Sequence, residues 1–171
     1  TRKRQHSQND RGGAVAKIVN SWNEWSRLRR VIVGSADGTM IQAPEPAIVR
    51  DFPNDGFPAG TYGPMPQDMV DAANEQLDNF AAVLESNGVV VDRPEVMDWS
   101  KAIETPDWTM DSQFGVMPPR DVLLTVGNEI LEATMSQRAR WFEYLAYRPL
   151  LEEYFRQDPE FRWESAPKPR L

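Results

Sequence analysis

The sequence predicts one α/β domain, and three observations carry that expectation. Two β-branched runs, Val31-Ile32-Val33 and Val89-Val90-Val91, read as short strands. Between them, residues 67–86 place Val70, Ala73, Leu77, Phe80, Ala81 and Leu84 on one face at helical spacing. The resulting order of strand, long connection, helix and strand is that of an α/β architecture.

In chain order, residues 1–14 (TRKRQHSQNDRGGA) are polar, basic and closed by a glycine pair, so they read as a disordered tail ahead of a domain over residues 15–171. Arg2, Lys3, Arg4 and Arg11 against Asp10 give this tail +3 and leave −10 for the rest. Order is expected from Ile18 and Val19 through a turn in NSWNEW to the first strand, which ends at Gly34. Residues 36–66 contain Pro44, Pro46, Pro53, Pro58, Pro64 and Pro66, which deny the segment a continuous helix or central strand. It reads as a long ordered loop, long enough to cover a site or wrap a neighbouring module. The helix that follows stops at Asn87-Gly88. Strands at residues 122–126 and 129–133 flank Gly127-Asn128, a dipeptide suited to a tight hairpin. Helix then returns with Phe142, Leu145 and Ala146 on one face, and Pro149 kinks or restarts it before Leu150, Leu151, Tyr154 and Phe155. The arginines and rings from Arg138 to Arg148 suggest either a nucleic-acid face or an amphipathic helix packing its rings inward, and the second is favoured.

Composition bounds the function. A chain of 171 residues that is 40% hydrophobic supports one core. Its 26 acidic and 19 basic side chains leave a net charge of −7, which argues against a general nucleic-acid binder. No apolar run approaches the roughly 18 residues needed to cross a bilayer, so a soluble cytoplasmic protein without membrane partners is expected. There is no cysteine, hence no disulfide and no cysteine nucleophile in this chain, and the one histidine, His6, falls in the tail. Phosphate-cradling loops, dinucleotide fingerprints, HExxH pairs and serine elbows are all missing. Asp107 and Asp111 are a weak metal signal because Pro106 makes their segment a loop, and Glu152-Glu153 reads as a solvated helix edge.

One loop carries chemistry. Pro118-Pro119-Arg120-Asp121 puts an acid at the start of a buried strand, where a carboxylate is costly unless paired. Either backbone N–H groups or Arg120 satisfy it, or it awaits an external cation. A guanidinium fits best, because its planar fork gives two parallel charge-assisted hydrogen bonds.

The chain resembles the arginine amidinotransferases, such as the glycine and inosamine-phosphate enzymes. The matching pieces are Val19-Asn20-Ser21 with Asn23-Glu24-Trp25, Val31-Ile32-Val33-Gly34, Arg93-Pro94, Thr105-Pro106-Asp107-Trp108, the run from Pro119 to Arg148, and Trp163 with residues 165–171. They cover nearly everything after the tail, in the family's order. Residues 36–66 match least, and Pro118-Pro119 lengthens the approach to Asp121. The resemblance implies a pseudo-fivefold α/β propeller of which this chain holds the first modules, with Asp121 gripping the substrate guanidinium. Asp107, in its family-like TPDW setting, is a second substrate-binding candidate, and a turn-capping role competes for it. The family's nucleophilic cysteine, its acid-base histidine and the supporting carboxylate have no counterpart here, so no catalytic residue is assigned. The implied partners are L-arginine and an acceptor amine, with a homo-oligomer compatible, and no cofactor or metal is implied. Three readings follow: the N-terminal portion of an amidinotransferase, which is preferred; a noncatalytic remnant that binds guanidino compounds or a partner; and one half of a split enzyme.

Overall fold

The computed structural model describes residues 17–52, 56–58 and 60–168. The chain runs β1 (Arg30–Ile32), β2 (Met40–Ile41), α1 (Pro46–Asp51), β3 (Gly63–Pro64), α2 (Gln67–Ser86), β4 (Val90–Asp92), β5 (Ile103–Glu104), β6 (Thr109–Met110), α3 (Pro119–Val122), β7 (Leu123–Val126) and β8 (Glu129–Glu132). Two short 3-10 turns, Arg138–Arg140 and Glu143–Tyr147, then lead into α4 (Arg148–Gln157) and β9 (Arg162–Ser165). The expected tail over residues 1–14 lies outside the described residues.

The two β-branched runs pair with each other, as an α/β reading requires. β1 and β4 are parallel, with Arg30 opposite Val90 and Ile32 opposite Asp92, and α2 makes the crossover between them. Both strands sit one residue from where the valines alone place them. Val33 leaves β1 but still donates its N–H to Asp92 O at 3.0 Å. Val70 and Ala81 of α2 are buried, and Ala73, Leu77 and Leu84 are half-buried. Phe80 is exposed, against expectation. It lies about 80° around the helix from Val70, and a two-stranded sheet covers too narrow a stripe to reach it. Gly88 ends the helix with φ +77°, while Gly88 N–H and Val89 N–H bond back to Glu85 O and Leu84 O.

Residues 36–66 hold more structure than a loop. β2 pairs antiparallel with β3, and α1 has Pro46 in its first turn, where the missing N–H costs nothing. Proline density excludes a long helix but permits a six-residue one started by a proline.

β7, β8 and β9 form a three-stranded sheet, antiparallel across the hairpin and parallel between β8 and β9. Val126 faces Glu129 across a two-residue turn in which Gly127 has φ +61° and Asn128 does not go positive, the pattern of a type II′ turn. Val122 and Ala133, expected inside these strands, sit just beyond them, joined by Ala133 N–H to Val122 O at 2.8 Å. The expected helix around Phe142 is wound instead as the two 3-10 turns. Pro149 restarts a regular helix by falling in the first turn of α4. Trp141, Tyr144 and Tyr147 turn inward, and Tyr147 donates its hydroxyl to Val116 O at 2.9 Å.

Two apolar clusters result. One gathers Trp99, Val116, Val122, Ile130, Tyr147 and Leu151. The other joins Ile103, Met110 and Ala139 to an edge-to-face pair of Trp108 and Trp141, with ring centroids 5.7 Å apart. The first described residues close onto the last elements: Ile18 N–H bonds Asp158 Oδ2 at 2.8 Å, and Ser21 exchanges backbone bonds of 2.7 Å with Gly127. Among the described residues, no helix is long and apolar enough to cross a membrane.

Candidate functional site

Asp121 owes its place to a close backbone crossing. Gly34, just past β1, lies so near residues 116 and 117 that a Cβ there would stand 2.4 Å from Val116 O and 2.1 Å from Met117 O. Ser35 and Val116 bridge beside it, and Arg93 Nη1 donates to Gly34 O at 2.6 Å. From this crossing the chain turns through Pro118 into α3, with Asp121 N–H bonding Pro118 O at 3.2 Å. Asp121 therefore lies in a short helical turn ahead of β7, not on the strand, and its side chain is 35% exposed, so it is less buried than the sequence implies.

Its partner is neither a backbone amide nor Arg120, which is exposed, but Arg140. Arg140 Nη1 donates to Asp121 Oδ2 at 3.0 Å. The other edge of the same guanidinium meets Glu143: Nε lies 3.0 Å from both carboxylate oxygens, and Nη2 is 2.8 Å from Oε2. The Phe114 ring covers the guanidinium, with its centroid 5.3 Å from Cζ. Glu143 is only 1% exposed, and burial pushes its carboxyl up to about 7 despite Arg140 and the Gly115 N–H, which favour the charged form. Burial also works against the charge on Arg140, but Glu143 and Asp121 outweigh it and hold the guanidinium protonated. Burial and the neighbouring Glu143 raise Tyr147. The arrangement grades from a buried acid through a shared guanidinium to an acid that solvent can reach.

Two clefts lie nearby. One of about 420 Å3 is lined by Glu45, Arg50, Ser136 and Arg138. Another of about 280 Å3, lined by Met40, Gln42, Phe114 and Gln137, reaches Arg140 itself and so adjoins the Asp121 group. Glu45, buried at the entrance to α1, accepts the Arg138 N–H at 2.9 Å, which ties residues 36–66 to the turn carrying Arg140.

Asp107 does not join this group. It is exposed, and among the described residues its carboxylate makes no hydrogen bond or ion pair. The turn is capped by Thr105, whose Oγ1 accepts the Trp108 N–H at 3.1 Å. No group of three or more His, Cys, Asp or Glu among the described residues could hold a metal ion, and His6 lies outside them. Another buried acid, Glu132, accepts Arg148 Nε and Nη2 at 2.9 and 3.0 Å, Trp163 Nε1 at 3.1 Å, and the Ser165 hydroxyl. Burial alone would raise it, but these donors win and hold it below its ordinary value. Sequence reasoning missed Arg140 and Glu143 as site residues. The available signal was an arginine and a glutamate three apart inside an aromatic run, where charged side chains drawn inside must be paired.

No protein-family model matches the chain. The mitochondrial glycine amidinotransferase of Xenopus laevis is 43% identical over 165 residues, covering 90% of this chain and 36% of that protein. The L-arginine:L-lysine amidinotransferase of Pseudomonas savastanoi pv. phaseolicola is 40% identical over 156 residues, covering 90% and 42% respectively. The chain is an amidinotransferase homologue. Its structure also matches the inosamine-phosphate amidinotransferase of Streptomyces griseus with a TM-score of 0.82 at 39% identity, over 91% of this chain and 45% of the other. The homologue thus spans about two-fifths of the length of the amidinotransferases it matches.

Proposed function

We propose that this chain is the guanidinium-gripping part of an arginine amidinotransferase, built as the first modules of an α/β propeller, and that Asp121 is its anchor. The observation that carries the reading is that Asp121 already holds a guanidinium, that of Arg140, at 3.0 Å while its side chain stays 35% exposed. The carboxylate therefore has the chemistry and the access to take a second one from L-arginine. In the complete reaction, a cysteine thiolate attacks the guanidinium carbon, ornithine leaves, and an acceptor amine such as glycine takes the amidino group from the sulfur. A histidine protonates the leaving amine and later deprotonates the acceptor. This sequence has no cysteine, so those groups come from a longer polypeptide or a second chain. Arginine carries its own activated carbon, and no cofactor enters.

The half-exposed Asp121 carboxylate equally supports a second reading, a noncatalytic protein that binds guanidino compounds through it. Both readings share one test. Titrating L-arginine into the native chain and Asp121→Asn by calorimetry should show the variant weaker by about 2 kcal/mol, roughly 30-fold. Equal affinities would remove Asp121 from the site. Glu143 still holds Arg140 in the variant, so the fold should survive.

A further inference from the structure

Arg140 poses a problem for an anchor. An internal guanidinium against Asp121 neutralises the charge that an external one needs. The structure contains the answer one residue deeper. Arg140 gives Nη1 to Asp121 Oδ2 but Nε and Nη2 to Glu143, so its charge is shared between two acids. With both acids ionised, the three side chains carry one net negative charge, and the exposed end of the group is Asp121.

We propose that Glu143 is a positioning residue for Asp121: by pinning and neutralising Arg140 from the buried side, it lets Arg140 hold one oxygen of Asp121 while the carboxylate keeps its charge for the guanidinium of a bound substrate. The inference rests on the reading of Asp121 as the anchor and deepens it. A buried arginine edge can be satisfied by backbone carbonyls, but only a second acid leaves a net charge behind. The groups facing Glu143 are Arg140, Asp121, the Tyr147 phenol and the Gly115 N–H. Tyr147 is committed to Val116 O and raised, so it stays neutral and donates nothing to Glu143. Arg140 stays charged. The charge of the group therefore follows the proton on Glu143, which comes off near pH 7, where its carboxyl sits at about 7. With Glu143 protonated, Asp121 and Arg140 cancel; with it ionised, the site is anionic.

The test is an NMR titration of the native chain, Asp121→Asn and Glu143→Gln with L-arginine, from about pH 6 to about pH 8, following the Arg140 Nε–H. Native affinity should rise on the order of tenfold across that range, an effect set by one charge at short range. Glu143→Gln should lose the rise and bind on the order of tenfold more weakly at the upper end. A purely structural Glu143 would leave that profile in place, so a persistent rise or native affinity in Glu143→Gln overturns the inference. Native binding by Asp121→Asn, or no saturable shift in the native chain, removes the anchor instead. If Asp121→Asn abolishes binding while Glu143→Gln does not weaken it, the anchor stands and only this inference falls. Should Glu143→Gln fail to fold, the native profile decides alone, and a flat one refutes the proposal.

Discussion

Replacing Gly34 with alanine tests whether the backbone crossing sets both the stability of the fold and the aim of Asp121. The added Cβ would stand 2.1 Å from Met117 O, and ordinary contact begins at 3.4 Å, so about 1.3 Å of separation must be found. Neither obstacle is the end of a flexible side chain. Both are carbonyls of a segment that Ser35 pins and that leads directly into α3. Gly34 has no positive φ, so the cost is steric and not conformational. Overpacking against backbone belongs at the upper end of the usual range, about 3 kcal/mol, which for a chain of this size lowers the melting temperature by roughly 6 to 12 °C. Chemical denaturation followed by tryptophan fluorescence measures it. Gly88→Ala is the control, because its φ of +77° imposes strain while its nearest atom is 3.7 Å away. Gly34→Ala should cost clearly more than Gly88→Ala and should also weaken L-arginine binding by shifting Asp121. A Gly34→Ala chain within about 0.5 kcal/mol of native would refute the crossing as described.

Two further substitutions probe paired acids elsewhere. Glu132→Gln removes the charge that Arg148 grips and should cost about 3 kcal/mol by denaturation. The Glu132 carboxyl is held below its ordinary value, so its contribution should be full above about pH 4.5 and fade as pH falls through the lower folded value, a loss that the variant lacks. Tyr154→Phe tests Asp92, which accepts the Tyr154 hydroxyl; Arg30 Nε lies 3.1 Å from Asp92 Oδ2 without hydrogen-bond alignment. Because Arg30 cannot take over that bond without moving, the variant should lose about 2 kcal/mol, and a neutral result would show that Arg30 realigns.

The parts of the fold carried by local repetition were legible in the sequence. The periodic face of α2, its Asn87-Gly88 stop and the Gly127-Asn128 hairpin each follow from local sequence, and all three stand where expected except that Phe80 of that face is exposed. α1 and the two-residue strands β2 and β3 were not legible, because elements that short have no period to detect. The 3-10 winding before α4 is set by packing Trp141, Tyr144 and Tyr147 inward, which no propensity encodes. At the site, the need of Asp121 for a cationic partner was readable and the identity of its internal partner was not. Arg120 is the neighbour in sequence, yet Arg140, 19 residues on, is the neighbour in space. That choice depends on where α3 and the first 3-10 turn meet, which is a property of the whole core.

The bond from Ile18 to Asp158 spans 140 positions, and the bridge from Ser21 to Gly127 secures the same end. During synthesis, residue 18 emerges long before its partner at residue 158. β1 cannot pair until α2 and β4 have emerged, Ser21 cannot bridge until the β7–β8 turn has formed, and Ile18 cannot bond Asp158 until α4 has followed. Ile18 and Val19 therefore wait uncovered for partners made more than a hundred residues later, while β1, α2 and β4 can already pair. Residues 18 and 19 are where a chaperone would engage.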